Sequence, residues 1–240
     1  MGLSITVGVL ADLLENDEEG ASWVAGHFTE INELLKANGL QEHAEPEKCD
    51  AWSRDGYGYS GLHALREIAG LVWMNENIPH DVLLTGTETP YEEKLFATAL
   101  PLVLGEDKRG WVSKLFRKKQ EAPSLHFLHL VVHSDAEGYY VPVDFPLPLV
   151  PSVMTEDSAS IWPLGSVQQL KRELITIKSH LQIPDGLTSQ SENLEELLES
   201  DDQRKSGLGW EAQPIATYSA LIMLEACEAS LKTGAAISFG

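Results

Sequence analysis

The sequence is short of sulfur, of positive charge and of long apolar runs, and each shortage excludes a class of protein. Cysteine occurs only at Cys49 and Cys227, with no Cys-x-x-Cys spacing. This argues against a disulfide-stapled secreted domain and for a reducing interior. No apolar run approaches the roughly 18 residues that a membrane span requires. The start, Met1-Gly2-Leu3-Ser4-Ile5-Thr6, lacks the basic leader of a signal peptide. It fits the loose N-myristoylation pattern, but no basic cluster supplies the second membrane signal. No Asn-x-Ser/Thr site occurs. The expected location is the cytoplasm, with no membrane partner.

Positive charge is the largest deficit. Seventeen Lys and Arg stand against 37 Asp and Glu, leaving a formal charge of −20 over 240 residues. A field of that sign repels nucleic acid and anionic membranes and attracts basic partners. The partner expected from charge alone is a basic protein, with no nucleic acid and no cofactor.

Hydrophobic residues at 43% and charged residues at 22% are ordinary values for a folded globular chain. Leu3, Ile5, Val7 and Val9 alternate as on a strand, and Trp23 to Leu35 repeat at helical spacing up to the Asn38-Gly39 stop. A loop over 41–59 leads into Asp55-Gly56-Tyr57-Gly58-Tyr59-Ser60-Gly61-Leu62-His63 and a helix whose expected N-cap is Ser60. Asp81–Thr85 reads as a short strand. Pro90 opens a helix behind Thr89, its expected N-cap. Six bases fall within 106–120, the expected basic surface insertion.

Residues 125–145 read as a β-hairpin, two β-branched and aromatic runs around a Gly-containing turn. Ser158 to Pro163 suggests a short extended piece. Ser166 caps a further helix, with Gln169 placed for a capping box. The stretch 184–209 is expected to be an acidic mobile loop holding a short amphipathic helix. A buried helix over 214–233 and a strand over 235–239 end the chain. The expected fold is α+β, a single domain over 1–240 with a small mixed sheet packed by helices.

Three places could carry chemistry. Gly56, Gly58 and Gly61 match the spacing of a dinucleotide loop, but no apolar strand is read ahead of them, so that reading fails. Tyr57, Tyr59 and Ser60 remain candidate ligand contacts. On an extended strand His129 and His133 lie about 13 Å apart, too far to hold one zinc ion, so no metal site is expected. His133 with Asp135 at the turn, together with His63 and Asp144, are the catalytic candidates.

Two functions follow. The first is an acidic binding protein that masks a basic partner, as toxin inhibitors do. The alternative is a small-molecule hydrolase with its site between loop 55–63 and turn 133–138.

Overall fold

The computed structural model describes residues 3–105, 127–151, 161, 163–200, 207 and 209–240. The basic stretch 106–120, the extended piece expected after Ser158 (apart from Ile161 and Pro163) and the lipidation signal at Gly2 lie outside the described residues.

Strand β1 (Ser4–Val7) forms because its apolar residues alternate. Leu3, Ile5 and Val7 are buried, while Ser4 and Thr6 keep some exposure. Val9, expected on the same strand, instead begins helix α1 (Val9–Asn16), because Gly8 turns the chain at φ 80°. Only glycine adopts that angle freely, and a Cβ there would meet Cys49 Sγ at 2.6 Å. Helix α2 (Glu18–Ala37) follows at once, its first turn capped by Asp17, which accepts from the Gly20 N–H at 3.1 Å. Next come β2 (Trp52–Asp55), α3 (Gly58–Trp73) and α4 (Pro90–Val103). After them lie α5 (Leu128–Val131), β3 (Gly138–Val141), β4 (Gly165–Ser166) and α6 (Val167–His180). The chain closes with α7 (Glu192–Glu199), α8 (Pro214–Thr233) and β5 (Ile237–Phe239).

The strands form one mixed sheet in the order β2-β1-β5-β3-β4. Strand β1 runs antiparallel to β2 and β5, β3 antiparallel to β5, and β3 parallel to β4. Successive strand residues point to opposite faces, so β3 divides its side chains between two apolar clusters. Tyr140 joins Ile5, Leu65, Leu130, Leu174 and Ile222, the cluster that α3, α5, α6 and α8 build on one face. Tyr139 and Val141 join Val24, Phe28, Ile31 and Leu35 of α2 on the other. With both faces covered, all four β3 residues are buried. The architecture is α+β, as expected, and no helix among the described residues is long and apolar enough to cross a membrane.

Four local expectations are corrected. The first arm of the hairpin is not a strand: Leu128–Val131 is one helical turn, and only β3 survives from the pair. Asp81–Thr85 is irregular, held there by the buried amide of Gln213. That amide donates to the carbonyls of Pro79 (2.7 Å) and Val82 (2.8 Å) and accepts from the Leu84 N–H (2.9 Å). Thr89 occupies the N-cap of α4 but makes no side-chain cap. The buried Glu67 carboxylate does so instead, accepting from the N–H groups of Tyr91 (2.9 Å) and Glu92 (2.8 Å). Helix α3 starts two residues ahead of Ser60, whose hydroxyl donates back to the Tyr57 carbonyl at 3.1 Å.

Close approach of α3 to α4 depends on Gly70, where a Cβ would lie 2.5 Å from the Tyr91 backbone. That approach sets the walls of the cleft described next.

Candidate functional site

A cleft of about 770 Å³ opens between α3, α4 and the turn after α5, lined among others by His63, Arg66, Glu92, Phe96, His133 and Asp135. The centre of the cluster is Arg66, which sits on the apolar face of α3 and is 3% exposed. Its guanidinium donates from Nε to the Leu130 carbonyl (2.9 Å), from Nη2 to the His133 carbonyl (2.7 Å) and from Nη1 to the Asp135 carboxylate. A buried charge persists only when paired and fully hydrogen-bonded, and here the fork also satisfies carbonyls at the end of α5. The Glu92 carboxylate stands 3.6 Å from Nη1 and 2.9 Å from His63 Nδ1. His63 Nε2 lies 3.5 Å from Asp135 Oδ2. The structure therefore brings together His63 and Asp135 across 72 positions of sequence.

The other candidates are placed differently. The His133 ring is buried and stacked on Tyr140, with ring centroids 4.1 Å apart, and it is the backbone carbonyl of His133 that serves Arg66. Asp144 lies on an exposed edge, held by Arg172 (3.0 Å) and Gln169 (2.7 Å), and does not line the cleft. The Arg172 guanidinium holds the Asp144 carboxyl below the usual carboxylate range. Gln169, expected to complete a capping box, serves Asp144 instead, while Ser166 accepts from the Gln169 N–H as its cap.

Helix α5 is imposed from outside. Its N-cap, Phe127, takes a left-handed φ of 73° that a bulky residue avoids, and is held there by burial. The half-buried Glu173 of α6 accepts from the N–H groups of His129 (3.0 Å) and Leu130 (2.8 Å) with its carboxyl oxygens. Burial pushes Glu173 up to about 8. Burial also pushes His129 and His133 down to about 4. His129 Nδ1 accepts from the Ser166 N–H at 3.0 Å, which requires a neutral ring.

These three shifts predict a pH dependence of stability. Between pH 8 and 6.5 the native state holds a proton on Glu173 that the unfolded chain releases, so stability rises as pH falls. Between pH 6.5 and 4 the unfolded chain protonates both histidines and the native state neither, so stability is lost. Each group contributes up to about 1.4 kcal/mol per pH unit, and two histidines outweigh one glutamate. The urea midpoint should peak near pH 6.5; a flat profile from pH 5 to 8 would refute these assignments.

The Gly/Tyr loop does follow a strand. Gly56 comes directly after β2 and α3 begins at Gly58. Yet β2 pairs antiparallel with β1, unlike the parallel βαβ unit of a dinucleotide site. The space at this helix start is only about 10 Å³. Gly61 serves packing, since a Cβ there would meet Ser219 Oγ at 2.6 Å. Tyr57 and Tyr59 are exposed. Tyr57 lines a notch of about 590 Å³ with Asp55, Tyr218, Leu198 and Glu195 of α7.

That notch joins the loop to the row of carboxylates on α7. Within 184–209, helix α7 docks on α8 through the fully buried Leu194, and Ser189 donates to Glu225 from both its N–H (2.8 Å) and its hydroxyl (2.7 Å). Amphipathic spacing then forces Glu192, Glu195, Glu196 and Glu199 outward, and all four are exposed. The eight residues of α7 span about 12 Å of helix axis, so the row holds one charge per ~3 Å. Duplex DNA carries one per ~1.7 Å of axis and a single strand one per ~3.4 Å. The helix row falls between them.

A second acidic corner joins α1 to α2, where Asp12, Glu15, Asp17, Glu18 and Glu19 are exposed around Leu14 and Trp23. Among the described residues the exposed bases are Lys36, Lys48, Lys94, Arg172 and Lys232, and Arg172 is engaged by Asp144. Carboxylates dominate the described surface.

Sequence reasoning missed Arg66, Glu67, Glu92 and Glu173. One signal was present for the first two: adjacent charges in the middle of the apolar run Leu62–Leu71. Such residues are almost never buried unless paired.

A family model described as "Putative DNA-mimic protein" matches residues 1–239. No curated protein and no solved structure matches the chain. Nothing in these comparisons supports the hydrolase alternative. The match also corrects the partner expectation, which set nucleic acid aside and named only a basic protein. Charge of this sign does repel DNA, but the family description brings nucleic acid back as the thing imitated. With the match covering nearly its whole length, the chain belongs to this DNA-mimic family.

Proposed function

We propose that the chain masks the DNA-binding surface of a DNA-binding protein by presenting carboxylates where that protein expects phosphates. The observation that carries this reading is the α7 row, four exposed carboxylates on a helix anchored by Leu194. Their spacing falls within the range of DNA charge spacing. Anchoring matters, because a mimic that is already ordered gives up less conformational entropy on binding. The notch beside the row adds Asp55 and the flat faces of Tyr57 and Tyr218. Aromatic side chains supply contact area at low entropic cost. The role is that of an inhibitor, comparable in logic to the masking of a toxin by its inhibitor.

The test uses the full chain immobilised as a bait in low salt. Proteins it retains should be released by duplex DNA and by ~0.5 M salt, where the screening length is only a few ångströms. Those released should bind DNA on their own. Retained proteins that have no DNA affinity, or that duplex DNA fails to release, would overturn the reading.

A further inference from the structure

We propose that the cleft between α3, α4 and the turn after α5 receives a single arginine side chain, supplied by the DNA-binding partner. The source of that arginine rests on the masking reading; the chemistry of the pocket does not.

The cleft, at about 770 Å³, falls within the size range of small-ligand pockets. Its walls carry the carboxylates of Glu92, Glu93, Asp135 and Glu137. The one guanidinium among them, Arg66, is already committed to Asp135 and to the carbonyls of Leu130 and His133. Glu93 and Glu137 are exposed at the cleft and appear in no ion pair among the described residues. The wall charge therefore favours a cation and disfavours an anion. No cluster of three metal-ligating side chains occurs among the described residues, which turns the choice from a metal ion to an organic cation. Phe96, 39% exposed, adds a flat apolar wall. A planar guanidinium on an apolar stem matches an aromatic face with flanking carboxylates better than an ammonium does. His63, fixed between Glu92 and Asp135, lines the same cleft and reports on its occupancy.

The experiment titrates the full chain with Nα-acetyl-arginine amide while the ring resonances of His63 and Phe96 are followed by NMR. Saturable shifts in the millimolar range are expected, with the lysine analogue several-fold weaker and the neutral citrulline analogue inert. Phe96→Ala and the double variant Glu93→Gln/Glu137→Gln should each weaken arginine binding at least threefold. Their thermal midpoints should stay close to the parent's, since these side chains are exposed. Equal shifts with citrulline, no saturation with arginine, or full affinity in both variants would overturn the proposal. If arginine binds but duplex DNA does not release the captured proteins, the masking reading fails and the pocket stands. If DNA releases them and arginine leaves His63 and Phe96 unmoved, the pocket fails alone.

Discussion

Replacing Glu192, Glu195, Glu196 and Glu199 together by glutamine should weaken binding of the DNA-binding partner by roughly four- to several-hundred-fold. Each exposed ion pair at an interface contributes about 0.2–1 kcal/mol, and four are removed at once. The remaining binding should depend less on salt, because fewer charges are there to be screened. Stability should move the other way. Glu192 and Glu196, and likewise Glu195 and Glu199, are like charges one helical turn apart, which costs a helix a few tenths of a kcal/mol per pair. Glutamine keeps side-chain length and helix propensity, so the variant should unfold at the same or a slightly higher urea concentration. Weaker binding at unchanged or improved stability is the signature of a contact surface. Unchanged affinity would remove α7 from the interface.

Arg66→Met should lower stability by about 3–5 kcal/mol, the cost of removing one partner from a buried charge network. In a protein of this size that corresponds to a fall of roughly 6–20 °C in the thermal midpoint. The substitution keeps apolar volume on α3 but strips the hydrogen bonds from Leu130 O, His133 O and Asp135 and leaves the buried Glu92 without its nearest cation. Arg66→Lys should recover little, since an ammonium cannot span three acceptors in a fixed fork. Urea denaturation of both variants measures this. A loss below about 1 kcal/mol would mean that the cluster is solvated and contributes little.

The two variants separate what was legible in the sequence from what was not. Helix α8 and strand β5 could be read directly, because Ile215, Leu221, Ile222 and Leu224 are apolar on most sides and Gly234 stops the helix in the left-handed region. The stop of α2 at Asn38 and the cap of α6 at Ser166 were local signals too, and the structure keeps them. Helix α5 was not legible. Its Leu-His-Leu-Val-Val run favours a strand, and that preference is overridden by Glu173 capping one end from 44 residues away and Arg66 gripping the other. Strand β2 was hidden for the opposite reason. Trp52-Ser53-Arg54-Asp55 has the polar composition of a loop and becomes a strand by pairing with β1 at the sheet edge.

The site followed the same division. Proximity of His63 to Asp135 depends on tertiary packing through Gly70 and Arg66, which no local spacing encodes. Charge was legible in amount, and its meaning in part. The net −20 points to repulsion of nucleic acid and attraction of a basic protein, and what it leaves out is that an acidic array can itself imitate nucleic acid. What the composition could not supply was the anchoring of α7 by Leu194 and Ser189, which turns loose charge into a fixed array.

The most direct test of masking is a competition measured on a protein that the chain captures, using fluorescence anisotropy of a labelled DNA duplex. Masking predicts that one equivalent of the chain releases the duplex completely, that no ternary complex forms, and that duplex in excess reverses the effect. A stable complex holding the chain, its partner and DNA together would contradict it.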